Sequence, residues 1–87
     1  MSAYPKILAT EREVWLLNYH GRIMSEYECK MWDIINGATK ATETIVEVYI
    51  LKERNEYGET KFKHEFKGYA LVNTDNYPII TDEMFMS

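Results

Sequence analysis

Hydrophobic spacing divides this chain into two regimes, with the change at Thr44. Before it, apolar residues recur at intervals of three and four, the period of a helix; after it they alternate, the period of a strand. In the first regime Ser25-Glu26-Tyr27-Glu28 reads as a capping box, in which a hydroxyl and a Glu three residues on satisfy each other's free amides. Tyr27, Met31, Ile34, Ile35 and Ala38 then form one apolar stripe, and Asn36-Gly37 offers a stop. The pattern predicts a helix over 26–36. Thr10-Glu11-Arg12-Glu13 is a second capping box and favours a short helix closed by Gly21, although Val14-Trp15-Leu16-Leu17 also suits a strand. Ahead of it, Tyr4, Ile7 and Leu8 are apolar, but Pro5 disfavours a regular helix.

The second regime predicts a long hairpin. Thr44 to Leu51 is dense in β-branched and aromatic residues, and a second alternating run starts at Thr60 with Phe62, His64 and Phe66 on one side. A three-residue loop Glu56-Tyr57-Gly58 would pair Asn55 with Glu59, Glu53 with Lys61 and Glu47 with Lys67. Val46, Val48 and Ile50 would then align with Gly68, Phe66 and His64, leaving one face apolar and the other ionic. A slip of one residue would set apolar against charged side chains along the ladder. Gly68 suggests a bulge or bend, Asn73 to Asn76 a turn, and Tyr77-Pro78-Ile79-Ile80 a short edge strand. The stretches 1–9 and 81–87 are expected to fray.

The resulting expectation is a single-domain α+β fold: a small antiparallel sheet built on the hairpin, with helix 26–36 and a short N-terminal helix packed on one face. That face would carry Val46, Val48, Ile50, Phe62 and Phe66. Composition supports a packed core, since 87 residues with 46% hydrophobic and 14% aromatic content are not those of a disordered segment. The absence of a signal-peptide pattern, of a membrane-length apolar run and of a disulfide partner for the one cysteine points to the cytoplasm and away from membranes.

Charge narrows the partners. A net charge of −4 argues against nucleic acid, because phosphate neutralisation supplies much of the affinity of duplex binders. Candidate chemistry is sparse. Cys29 lies about 160° from the apolar stripe on a helical wheel and has Glu26, Glu28 and Asp33 nearby, which raise rather than lower a thiol pKa. A surface thiol is the expectation. His20 and His64 read as structural, and neither a metal-ligand spacing nor a phosphate-cradling glycine motif is present. No catalytic residue, cofactor or metal is predicted.

What remains is binding. The expected register puts Tyr49 and Leu51 on the solvent face beside Lys63, Glu65 and Glu53, with Tyr57 at the loop tip and Tyr69 beyond. Tyrosine suits interfaces because its ring contributes area at low entropic cost while its hydroxyl stays wet. Tyr49, Leu51, Tyr57, Tyr69, Lys63 and Glu65 are therefore the candidate partner-binding residues. The function expected is that of a non-enzymatic regulator or inhibitor masking a protein surface, a type common among small acidic phage and mobile-element proteins. An exposed edge strand would also permit a homodimer.

One resemblance competes. Leu16-Leu17, Gly21-Arg22-Ile23-Met24-Ser25, a helix and then a hairpin resemble a winged helix-turn-helix domain. It implies a DNA-binding transcriptional regulator in which the hairpin is the wing and Lys61, Lys63 and Lys67 meet phosphates. The chain departs from that pattern between Gly37 and Thr44, where there is no room for a separate recognition helix.

Overall fold

The computed structural model describes residues 4–36 and 42–81. The elements are β1 (Lys6–Leu8), α1 (Glu11–Tyr19), α2 (Glu26–Asn36), β2 (Thr44–Glu56), β3 (Glu59–Val72) and β4 (Ile79–Ile80), with a 3₁₀ turn at Thr74–Asn76. They form an α+β fold whose mixed four-stranded sheet runs β3-β2-β1-β4. The stripe's continuation to Ala38, the stop at Gly37, and the ends at 1–3 and 82–87 fall outside the described residues.

β2 lies inside the sheet, parallel to β1 and antiparallel to β3. Both faces of its first half are covered, and Ile45, Val46, Glu47 and Val48 are all buried. A strand covered on both faces reads as a continuous apolar run, which is why alternation alone did not show which face met a helix. On one face Val46, Val48, Ala70, Val72 and Ile7 form a cluster against which Val14 and Leu17 of α1 pack. On the other, Ile45 and Leu71 meet Cys29 of α2. The helices thus sit on opposite faces of the sheet, not together on one. Each fully buried Ile or Val contributes roughly 1.5–3 kcal/mol relative to exposure. Lys6–Leu8, expected to fray, is a strand with Ile7 wholly buried.

The capping box at the start of α1 is complete: Glu13 N–H donates to Thr10 Oγ1 at 3.1 Å, and Thr10 N–H to Glu13 Oε1 at 2.9 Å. At α2 the Glu28 amide donates to Ser25 Oγ at 3.2 Å, while the Ser25 hydroxyl donates to Glu28 Oε1 at 3.1 Å. Between the helices the chain crosses the free edge of β3. Met24 and Tyr69 exchange backbone hydrogen bonds of 2.8 and 3.0 Å, Ile23 packs with the first cluster and Met24 with the second. Arg22 ties this crossing down, donating to Glu43 at 2.8 Å and to the Leu71 carbonyl.

The crossing sets the rotation of α2, with an unexpected result. Cys29 is 0% exposed, whereas Tyr27, Ile34 and Ile35 are 72%, 76% and 67% exposed. The helix is turned about half a revolution from the phase its apolar stripe predicts. Cys29 is accordingly no surface thiol: burial, helped by Glu28 and opposed by Arg22, pushes its pKa up to about 11.

Candidate protein-binding surface

β1 pairs with β2 only over Glu47–Tyr49, and one further bond runs from the Ala9 amide to the Tyr49 carbonyl at 2.8 Å. Beyond that point β2 and β3 continue as a two-stranded arm, which helps stretch the molecule to 51 Å against 27 and 22 Å in the other directions. The loop at its tip has two residues, Tyr57 and Gly58, at φ values of 52° and 80°. Two successive positive φ values suit a type I′ turn, whose twist matches that of the flanking strands.

The expected register gives way to this shorter loop. Glu56 pairs with Glu59, Asn55 with Thr60, Glu53 with Phe62 and Arg54 with Lys61. A shift between Val48 and Tyr49 absorbs an extra residue of β3, so Glu47 faces Tyr69 and Val48 faces Gly68. Gly68 is required there: at φ 136° an added Cβ would lie 2.7 Å from Ile23 Cγ2. The slip that would mix apolar and charged pairs is thus present in the arm and absent from the inner half.

Opposed residues on antiparallel strands share a face, so this register sorts the candidate residues anew. Tyr49 with Phe66, Leu51 with His64, and Glu53 with Phe62 occupy the face that α2 covers further in. Ring contacts link Tyr49 to Phe66 at 5.4 Å, Phe66 to Tyr69 at 5.3 Å and Tyr69 to Tyr4 at 5.9 Å. The aromatic row therefore runs from the body out along the arm. Phe62, at 62% exposure, Leu51 and Phe66 present large apolar areas to water. Phe62 and Phe66, expected in the core, belong to this surface instead.

Lys63 and Glu65 lie on the opposite face, paired with Lys52 and Ile50. They do not join Tyr49 and Leu51. Lys52 opposite Lys63 and Arg54 opposite Lys61 put four cations on one ribbon face, a juxtaposition that is unfavourable in itself. Acidic neighbours relieve it in part: Glu11 holds Lys52 at 2.8 Å, and Glu56 approaches Arg54 at 2.9 Å and Lys61 at 3.9 Å. These pairs are exposed, so solvent screening leaves each of them weak. The Lys52 hydrogen bond also lowers the Glu11 pKa. Below the arm, Val14, Trp15, Ile23 and Ile50 line an open groove of about 410 Å³ with Glu11 and Lys67 at its rim.

Glu47 was expected on a solvent face against Lys67. It is buried beneath the aromatic row, where its Oε1 accepts a 2.8 Å hydrogen bond from the Tyr49 hydroxyl and its Oε2 has no hydrogen-bond partner among the described residues. Burial first, and that bond second, push the Tyr49 pKa up to about 12. Tyr69 is raised mainly by desolvation, with Glu26 and Glu47 adding. Neither tyrosine is thereby made a base at neutral pH.

Among the described residues no group of three or more His, Cys, Asp and Glu side chains could hold a metal, and no helix is long and apolar enough to cross a membrane. The outward stripe of α2 is the feature that the sequence reading assigned to the core. The rotation depends on the chain crossing at Met24, which pairs with Tyr69 far along the sequence, so no local signal in the sequence marks it. Comparison with protein-family models, curated proteins and solved structures found no match to this chain.

Proposed function

We propose that this protein is a non-enzymatic protein-binding module, a regulator or inhibitor that masks a surface on a protein partner with its projecting arm. The observation that carries the reading is Tyr57: a bulky side chain, fully exposed, held at φ 52° in a turn position that favours Asn, Asp or Gly. Strain of this kind is retained where a side chain is needed for something other than folding. The arm itself supports it, because a two-stranded ribbon is marginal in water without something to cover its apolar face. The partner inferred has an apolar groove for Leu51, Phe62, Phe66 and Tyr57, rimmed by acidic groups that answer the four cations behind them. The cytoplasm is the compartment proposed, since the single cysteine is a buried free thiol.

The test is affinity capture from the organism that encodes the chain, run beside the variants Leu51→Ser and Phe62→Ser. A protein retained by the wild type and lost by both variants, with Tm unchanged, is the expected result. Equal retention by all three would remove the arm from the interface.

A second reading, phosphate contact along a nucleic acid, is favoured by Lys52, Arg54, Lys61 and Lys63 sharing one face. The recognition helix of the winged-helix pattern has no counterpart in Thr44–Glu56, which is strand. Any such binding would rest on the arm alone. It predicts a low-salt gel shift of duplex DNA that Lys61→Glu with Lys63→Glu abolishes, and an unshifted duplex would remove it.

A further inference from the structure

The arm leaves a second exposed apolar surface unexplained. Tyr27, Met31, Ile34 and Ile35 project from the side of α2 that faces away from the sheet, and Trp32 beside them is half exposed. A surface helix of a monomer turns such a stripe inward and its charges outward. Here the charged residues, among them the Glu26–Lys30 ion pair at 3.1 Å, sit to the side, and the outermost strip carries no charge.

We propose that this strip is the seam of a homodimer, in which α2 of one copy packs against α2 of a second. The spacing is the first support. Residues 27, 31 and 34 follow the four-three rhythm of a helix-to-helix seam, in which each large side chain enters a hole formed by the facing helix. A groove between side chains of this rhythm is filled by a helix carrying the same rhythm, and a second copy brings one by symmetry.

The area is the second support. At roughly 150–250 Å² for each full residue area, the exposed fractions of Tyr27, Met31, Trp32, Ile34 and Ile35 amount to roughly 600 Å², approaching the roughly 800 Å² each partner contributes to a stable interface. That lies at the top of the roughly 300–600 Å² range of the largest apolar patch on a typical monomer, which is often functional. The third support is size: a domain of 87 residues buries a smaller fraction of its surface than a larger one does, and a shared helical layer adds a second layer of core.

This contact lies on α2 and is independent of the arm, so either proposal can fail without the other. The experiment is sedimentation velocity on the full chain from about 0.05 to 200 µM, a range that brackets micromolar to submicromolar dissociation. The expected result is a species of twice 10.3 kDa that dissociates on dilution. In Tyr27→Asp with Ile34→Asp the dimer weakens at least about a hundredfold, because burying unpaired carboxylates is costly. Leu51→Asp on the arm leaves it intact. A 10.3 kDa species at every concentration overturns the proposal, as does a dimer that survives the double substitution. If that variant does not fold, the rate of Met31 oxidation by peroxide in the wild type decides. It slows as protein concentration rises if α2 is the seam, and an unchanged rate overturns the proposal.

Discussion

The two halves of the hairpin are one pair of strands under two sets of rules. From Thr44 to Val48 a helix covers each face of β2 and its side chains are nearly all buried, and over Glu47–Tyr49 a strand pairs with it on either side. Beyond Tyr49 it has β3 alone, and Leu51 to Asn55 are exposed. The pairing offset changes by one residue at the boundary, so the arm pairs Glu53 with Phe62 and Lys52 with Lys63. Register is strongly specified where one wrong step would expose a core, and weakly where both faces meet water. Within the arm the turn decides, and the turn places Tyr57 at an unfavourable φ. Stability is concentrated in the inner half, and the outer half is free to serve contact.

Substitution can break that contrast. Leu71→Ala, in the inner half beside Cys29 and Ile45, is expected to cost about 2–5 kcal/mol by urea denaturation. A cost below 1 kcal/mol would mean that the inner half is no better packed than the arm. Gly68→Ala, at the boundary, is expected to cost about 1–3 kcal/mol, because the new methyl must displace Ile23 and the backbone resists φ 136°. Tyr57→Asn at the tip is expected to raise stability by about 0.5–1 kcal/mol by relieving the left-handed tyrosine, while weakening partner binding. Phe62→Ser should change stability by no more than about 0.5 kcal/mol, as for an exposed position.

Alkaline pH sharpens the same contrast. The Cys29 thiol is raised from 9.0 to about 11 in the folded chain, so from pH 9 upward the unfolded chain releases a proton that the folded one keeps. Stability present below pH 9 is lost as pH rises through 11, and Tm should fall across that window. The Tyr49 hydroxyl, raised from 10.0 to about 12, extends the loss to higher pH. In Cys29→Ala the first part of the decline disappears. A decline identical to that of the wild type would show that the thiol is not desolvated.

Local chemistry was legible in the chain itself: the capping box at Thr10, the serine cap at Ser25 (whose reciprocal Glu28 bond goes to the hydroxyl and not to the amide), a helical period over 26–36, strand-forming residues from Thr44, and a glycine-bearing turn near Gly58. Each depends on residues within a few positions of one another, so the sequence alone determines it. Leu51 and Tyr57 are exposed, whereas Tyr49, expected on the solvent face from the register, is partly buried. Parity and rotation could not be read locally. Whether Phe62 shares a face with Glu53 or Arg54 depends on a loop of two residues rather than three, and both loops are permissible for Glu56-Tyr57-Gly58. Whether α2 shows the sheet its stripe or Cys29 depends on how Met24 and Arg22 pin the crossing over β3. A wheel records which residues lie together on a helix; only the tertiary tether decides which of its sides turns inward, because an apolar stripe is equally satisfied by the chain's own sheet or by another molecule.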